Sequence, residues 1–161
     1  MGSGVVGNYP LVAALAAIVI AQLVKIPLHR IFSGTWDLTR FVGTGGMPSS
    51  HSAGVTALAS AVGWQEGLGS TEFALSVVLG LVVMYDAMGI RRHAGEQAIE
   101  INALAALFER HIETDDPELS RFSLQQQRKK LKELLGHQPI EVAGGAAFGI
   151  FIGLILHLLY L

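Results

Sequence analysis

Five short stretches of this 161-residue chain carry groups suited to anion binding or proton transfer. They are Lys25, the run Pro48-Ser49-Ser50-His51, Asp86, the pair Arg91-Arg92, and His137 followed four residues later by Glu141. A helix that opens at PSSH offers free backbone N–H groups and a partial positive charge to an anion. Pro48 suits the first helical position, where its missing N–H costs nothing. Ser49 and Ser50 add hydroxyls, and Lys25, Arg91 and Arg92 add positive charge, arginine being able to hold phosphate oxygens in pairs. Two histidines and a carboxylate then suffice for a nucleophile, a general acid and an orienting group. The chemistry these residues could share is therefore handling of a phosphate.

Each stretch also has a plainer reading. PSSH alone is a helix cap, and Lys25 alone is an interfacial lysine reaching out of an apolar segment. Arg91 and Arg92 can act only as topology signals, and Glu141 as a first-turn carboxylate favoured by the helix dipole. Asp86 lies inside an apolar run, where it either orients an arginine one turn away or contacts a backbone group. His93 adjoins the arginines without an evident partner, and His29, His111 and His157 are assigned no role. What favours the joint reading is that all the plain ones would have to hold at once on one face of a membrane.

Four segments must position these groups. Tyr9 to about Leu28, Pro48 to Trp64, Thr71 to Ile90 and Ile140 to Leu161 are candidates for spanning a bilayer, which takes about 20 mostly apolar residues. The second is shorter and rich in small residues, and reaches that length only if its helix starts at Pro48. A mean hydropathy of +0.48, with 51% hydrophobic and 15% charged residues, excludes an ordinary soluble domain and fits a small polytopic membrane protein. The fold class expected is all-α: a membrane helix bundle of about four transmembrane helices plus cytoplasmic amphipathic helices. It would form one domain over residues 1–161, with a helical insertion at about 91–138. The absence of cysteine excludes disulfides and thiolate chemistry. No secretory n-region or myristoylation pattern is read at the start of the chain. No metal set, cofactor or nucleic-acid signature is read either.

Charge orders the segments. All 11 Lys and Arg residues lie in two stretches, one from Lys25 at the end of the first segment to Arg40 and one from Arg91 to Lys132, between the third and fourth segments. With four spans, both basic stretches lie on one side, which the positive-inside rule makes cytoplasmic, with both termini facing out. The same arrangement gathers Lys25, PSSH, Asp86 with the arginines, and His137 with Glu141 at one end. Helical spacing from Ile90 to Ile112 predicts that the third span runs on as an amphipathic helix, which the ETDDPE run ends. A second helix is expected from Ser123 to Leu135, its RKKLK face either solvated or lying on anionic headgroups. Gly145, Gly149 and Gly153, spaced by four, allow close helix approach, within the chain or in a homo-oligomer.

GGMPSSHSA, VMYDAMGIRRHAGEQA and LKELLGHQPIEVAGG together resemble the divergent type-2 phosphatidic acid phosphatase family, related to acid phosphatases and vanadium-dependent haloperoxidases. The resemblance covers nearly the whole chain. It implies that His51 protonates a leaving oxygen while Ser49 and nearby N–H groups hold the phosphate. His137-x3-Glu141 is similar to the H-x3-D motif of the wider superfamily. It implies that His137 attacks phosphorus to form a phosphohistidine and that Glu141 fixes its tautomer. The superfamily's first motif is altered here, since Lys25 is followed by Arg30 after four residues and no proline follows. The arginine expected just ahead of the nucleophile is missing, leaving Arg91 or Arg92 to replace it. Ser50 stands where glycine is usual. The activity implied is a cytoplasm-facing phosphatase of a lipid phosphate monoester or pyrophosphate. The alternative is a membrane protein that binds or moves a phospholipid or phosphorylated ligand without hydrolysis.

Overall fold

The computed structural model describes residues 7–34, 46–112, 131 and 136–160, and among these every regular element is a helix. Helix α1, Tyr9–Ser33, opens where the Asn8 side chain accepts the Leu11 N–H at 3.1 Å, with Pro10 in its first turn. It ends at Gly34, in the left-handed conformation. Every fourth residue of α1 is buried, from Tyr9 through Ala13, Ala17 and Ala21 to Lys25, while Leu15, Val19 and Leu23 face outward.

Helix α2 covers Ser50–Glu66, with Ser49 as its N-cap. Pro48 therefore lies ahead of the helix rather than at its first position. The reason is local: the Ser49 side chain accepts the Ser52 N–H, so the serine rather than the proline closes the first turn. Helix α3, Thr71–Met88, is capped by Ser70, and helix α4 covers Ile90–Ile112. The continuous helix expected through this region breaks at Gly89, whose N–H folds back to the Tyr85 carbonyl. Helix α5 covers Pro139–Tyr160. Arg40 and, except for Leu131, the expected Ser123–Leu135 helix with its RKKLK run lie outside the described residues.

Contacts set the helix directions. Tyr9 Oη donates to the Gly153 carbonyl at 3.0 Å, so the start of α1 lies beside the end of α5. Gly54 packs on Ile18 and Gly63 on Phe73, which makes α2 antiparallel to α1 and α3. Gly145 faces Ser49, Gly149 faces Ala53 and Gly153 faces Ala57, so α2 and α5 run parallel. The ends of α1 and α3 and the starts of α2 and α5 consequently share one end of the bundle.

Among the described residues, three stretches are long and apolar enough to cross a membrane: Tyr9–Ile31, Thr71–Leu107 and Pro139–Tyr160. The fourth expected span, α2, has 17 residues and is not among them. Its composition follows from its place, because it packs against α1, α3 and α5. A helix covered by protein needs small residues for close approach, not bulk for lipid. It buries Ser50, Ser52, Ala53, Gly54, Ala57, Ala61 and Gly63. The three α5 glycines are spent on this contact within the chain. A Cβ on Gly149 would stand 2.1 Å from the Ala53 carbonyl oxygen. Thr56 Oγ1 adds a hydroxyl 3.1 Å from the Ala146 carbonyl across the same seam.

Candidate functional site

Lys25 closes the alanine row of α1. It is 3% exposed, so it points into the bundle and does not reach out of it as an interfacial lysine would. Across from it, the first turn of α2 presents Ser49, Ser50 and His51. The Ser49 N–H donates to the Glu141 carbonyl at 3.0 Å, tying the start of α2 to the first turn of α5. The Ser49 side chain is taken by Ser52. This leaves the N–H groups of Ser50 and His51 outside the helical ladder, at the positive end of the α2 dipole.

His137 is placed by its backbone. Its N–H donates to the Ala87 carbonyl at 2.9 Å, one of the carbonyls left over where α3 ends. Gly136, at a φ of 86°, lies flat against the backbone of Arg91 and Arg92, where a Cβ would come within 2.4 Å of the Arg92 nitrogen. The side chain is 2% exposed, and among the described residues neither ring nitrogen has a hydrogen-bond partner. The His51 ring stands edge-on to it, with centroids 5.8 Å apart and planes at 77°. Burial first, then the positive charges of Lys25, His51 and Arg91, pull His137 down to about 4. At neutral pH its imidazole is uncharged and keeps a lone pair.

The arginines divide. Arg91 Nε donates to Asp86 Oδ2 at 2.8 Å, the first of the two uses expected of Asp86. Arg91 is also the arginine whose charge is felt at His137. Arg92 instead pairs along α4 with Glu96 at 3.1 Å, and His93 meets the same carboxylate. The reason is helical phase, since residues 91 and 92 are about 100° apart around α4.

Glu141 departs from its expected role. Its Oε2 accepts the Gln138 N–H at 3.0 Å, as a third-position carboxylate capping its own helix does. It makes no hydrogen bond to His137, so the histidine is oriented by the Gly136 turn and the Ala87 carbonyl. The two are four positions apart, but His137 lies ahead of α5, outside any helix, where that spacing does not put side chains on one face.

Two polar groups were not singled out from the sequence. Ser52 is fully buried with an unpartnered Oγ, and Gln22 has a buried, unpartnered Oε1. They lie one turn inward from Ser49 and Lys25 respectively. The signal available for them was a polar residue interrupting an otherwise Ala- and Gly-rich buried face.

A buried lysine, a helix N-terminus and two neighbouring histidines thus lie at one end of the bundle. Residues 6–152 match the divergent PAP2 family. The chain belongs to that family. It is also 48% identical over 149 residues to the uncharacterized membrane protein YuiD of Bacillus subtilis (strain 168), covering 92% of this chain and 94% of that protein. No solved structure matches the chain. Like that relative, this divergent PAP2 protein is an integral membrane protein.

Proposed function

We propose that this protein hydrolyses a lipid phosphate monoester or pyrophosphate, with the site and the basic loops facing the cytoplasm and α2 as a fourth crossing. The observation that carries the reading is His137, buried with both ring nitrogens unpartnered, beside His51 and the buried Lys25. Removing a neutral imidazole from water without a partner is costly, and a ligand in the site would recover that cost. In the proposed reaction the His137 lone pair attacks phosphorus and the ester bond breaks. His51 gives its proton to the departing oxygen, and water then cleaves the phosphohistidine. Lys25, Arg91 and the free N–H groups of α2 hold the phosphate oxygens, and Asp86 holds Arg91.

A second reading has its own support. Glu141 is engaged in capping, so His137 lacks the carboxylate that a catalytic triad uses. A pocket that binds a lipid phosphate without cleaving it fits that arrangement. The test is phosphate release from a panel of lipid phosphates by the purified chain, with His51→Ala and His137→Ala as variants. Loss of about 100-fold or more in each supports hydrolysis. Binding of phosphate or vanadate with no turnover across the panel selects the binding reading. Turnover that survives in both variants eliminates the histidine mechanism.

A further inference from the structure

Two backbone contacts place His137: its N–H on the Ala87 carbonyl, and Gly136 flat on Arg91 and Arg92. The second is a contact of shape, from which a chain can lift unless it is held further along. Leu131 supplies that hold. Asn102 Nδ2 donates to its carbonyl at 3.0 Å, and Asn102 Oδ1 accepts its N–H at 3.2 Å, a pairing across 29 residues. A carboxamide carries donor and acceptor side by side, so one side chain meets both backbone groups of one residue. Neither bond involves the Leu131 side chain, so what Asn102 fixes is the path of the backbone.

The lengths make the hold effective. Asn102 lies ten residues along α4 from Arg92, a rise of about 15 Å. Leu131 lies five residues before Gly136, and five residues reach at most about 17 Å. The two anchors are therefore joined with almost no slack, in the direction antiparallel to α4. Between them, on the same side of the helix as Asn102, Gly95 and Ala98 are buried, although among the described helices α4 packs on α3 alone. A shift at Leu131 is passed to Gly136, and Gly136 directly precedes the histidine.

Resting on the reading in which His137 is the reacting group, we propose that Asn102 is a positioning residue for it. Asn102 stands away from the phosphate-binding groups; it holds Leu131, and the short run to Gly136 carries that hold to the imidazole. A displacement of about 1 Å at a reacting group costs about 100-fold in rate, so a hold this far from the chemistry still governs it. The role is hidden in the sequence because the partner of Asn102 is a backbone and not a side chain.

The test uses the full chain in detergent with diethyl pyrocarbonate, which acylates neutral imidazole, each histidine being read separately by mass spectrometry. Asn102→Leu keeps the size and removes both bonds, Asn102→Gln keeps the amide on a longer arm, and Glu100→Gln alters the opposite side of α4. Rates are taken relative to His93, whose side chain is 73% exposed. The buried His137 should be protected in wild type and in Glu100→Gln. In Asn102→Leu it should react at least about tenfold faster, with much of the protection restored in Asn102→Gln. Unchanged protection in Asn102→Leu overturns the assignment. An equal rise at His157, at the far end of the bundle, or no recovery in Asn102→Gln marks a merely structural asparagine and overturns it as well. On a lipid phosphate that the wild type cleaves, Asn102→Leu should lower kcat about tenfold or more with KM nearly unchanged, and an equal kcat overturns positioning. Loss of protection in Asn102→Leu without any turnover in the wild type supports the hold on His137 while removing the hydrolase reading, so the two fail separately.

Discussion

Gly136 is where backbone geometry and site geometry meet, and Gly136→Ala separates them. Two effects act on this substitution. A positive φ costs an alanine about 1–2 kcal/mol. The new Cβ also stands 2.4 Å from the Arg92 nitrogen and 2.5 Å from its Cα, where ordinary contact begins at 3.4 Å. The turn must therefore retreat by about 1 Å, and crowding of this kind in a packed interior costs about 1–3 kcal/mol. Gly34→Ala is the matched control. Its φ is 74°, and an added Cβ meets nothing within 4 Å. Both variants should lose the backbone contribution, and only Gly136→Ala the contact contribution. Denaturant or thermal unfolding of the purified chains in one detergent should place Gly136→Ala lower by about 1–3 kcal/mol. Because the retreat carries His137 with it, ligand affinity or turnover should fall in Gly136→Ala and hold in Gly34→Ala. Equal stability of the two variants would refute the claim that the Gly136 turn is pressed against α4.

Three further outcomes are expected. His137 is buried and lowered to about 4 from 6.5, so the unfolded chain binds the proton more readily between those values. Its contribution is full above pH 6.5 and is lost as pH falls toward 4, by at most about 3 kcal/mol. His137→Asn should remove that part of the slope, read as the difference between the two unfolding curves across pH. Lys25→Met replaces a buried cation by an apolar chain of similar length. Vanadate or phosphate affinity should fall about tenfold or more, and intact affinity would show a lysine that does not hold the anion. Along the α5 seam, Gly149→Ala should cost about 1–3 kcal/mol, while Gly153→Ala, whose Cβ clears the nearest atom by 3.3 Å, should cost less than about 1 in the same unfolding assay.

Much of the site could be read from residue order because each member lies at the end of an apolar stretch. Lys25, PSSH, Asp86 with Arg91, and His137 all adjoin such ends, and alternating helix directions bring those ends together. Pairing along a helix was harder to read. Whether Arg91 or Arg92 meets Asp86 depends on helical phase after the break at Gly89, which interrupts the count from α3. Glu141 misled as well. Its role was read from the likeness to the H-x3-D motif, whereas the residue caps the helix that begins at Pro139, after the histidine.

Composition and order were enough to determine an all-helical membrane protein, the apolar stretches of α1, α3 and α5, and the gathering of polar groups at one end. Those properties depend on side-chain transfer from water and on chain direction, both of which are written residue by residue. Tertiary structure alone decided that α2 is enclosed by three helices and starts after Ser49. It also decided that the α5 glycines face α2, that Gly136 lies against the α4 backbone, and that His137 is buried with its nitrogens unpartnered. Each of these is a contact between segments distant in sequence, fixed by how closely two backbones can approach, and no local pattern encodes that distance.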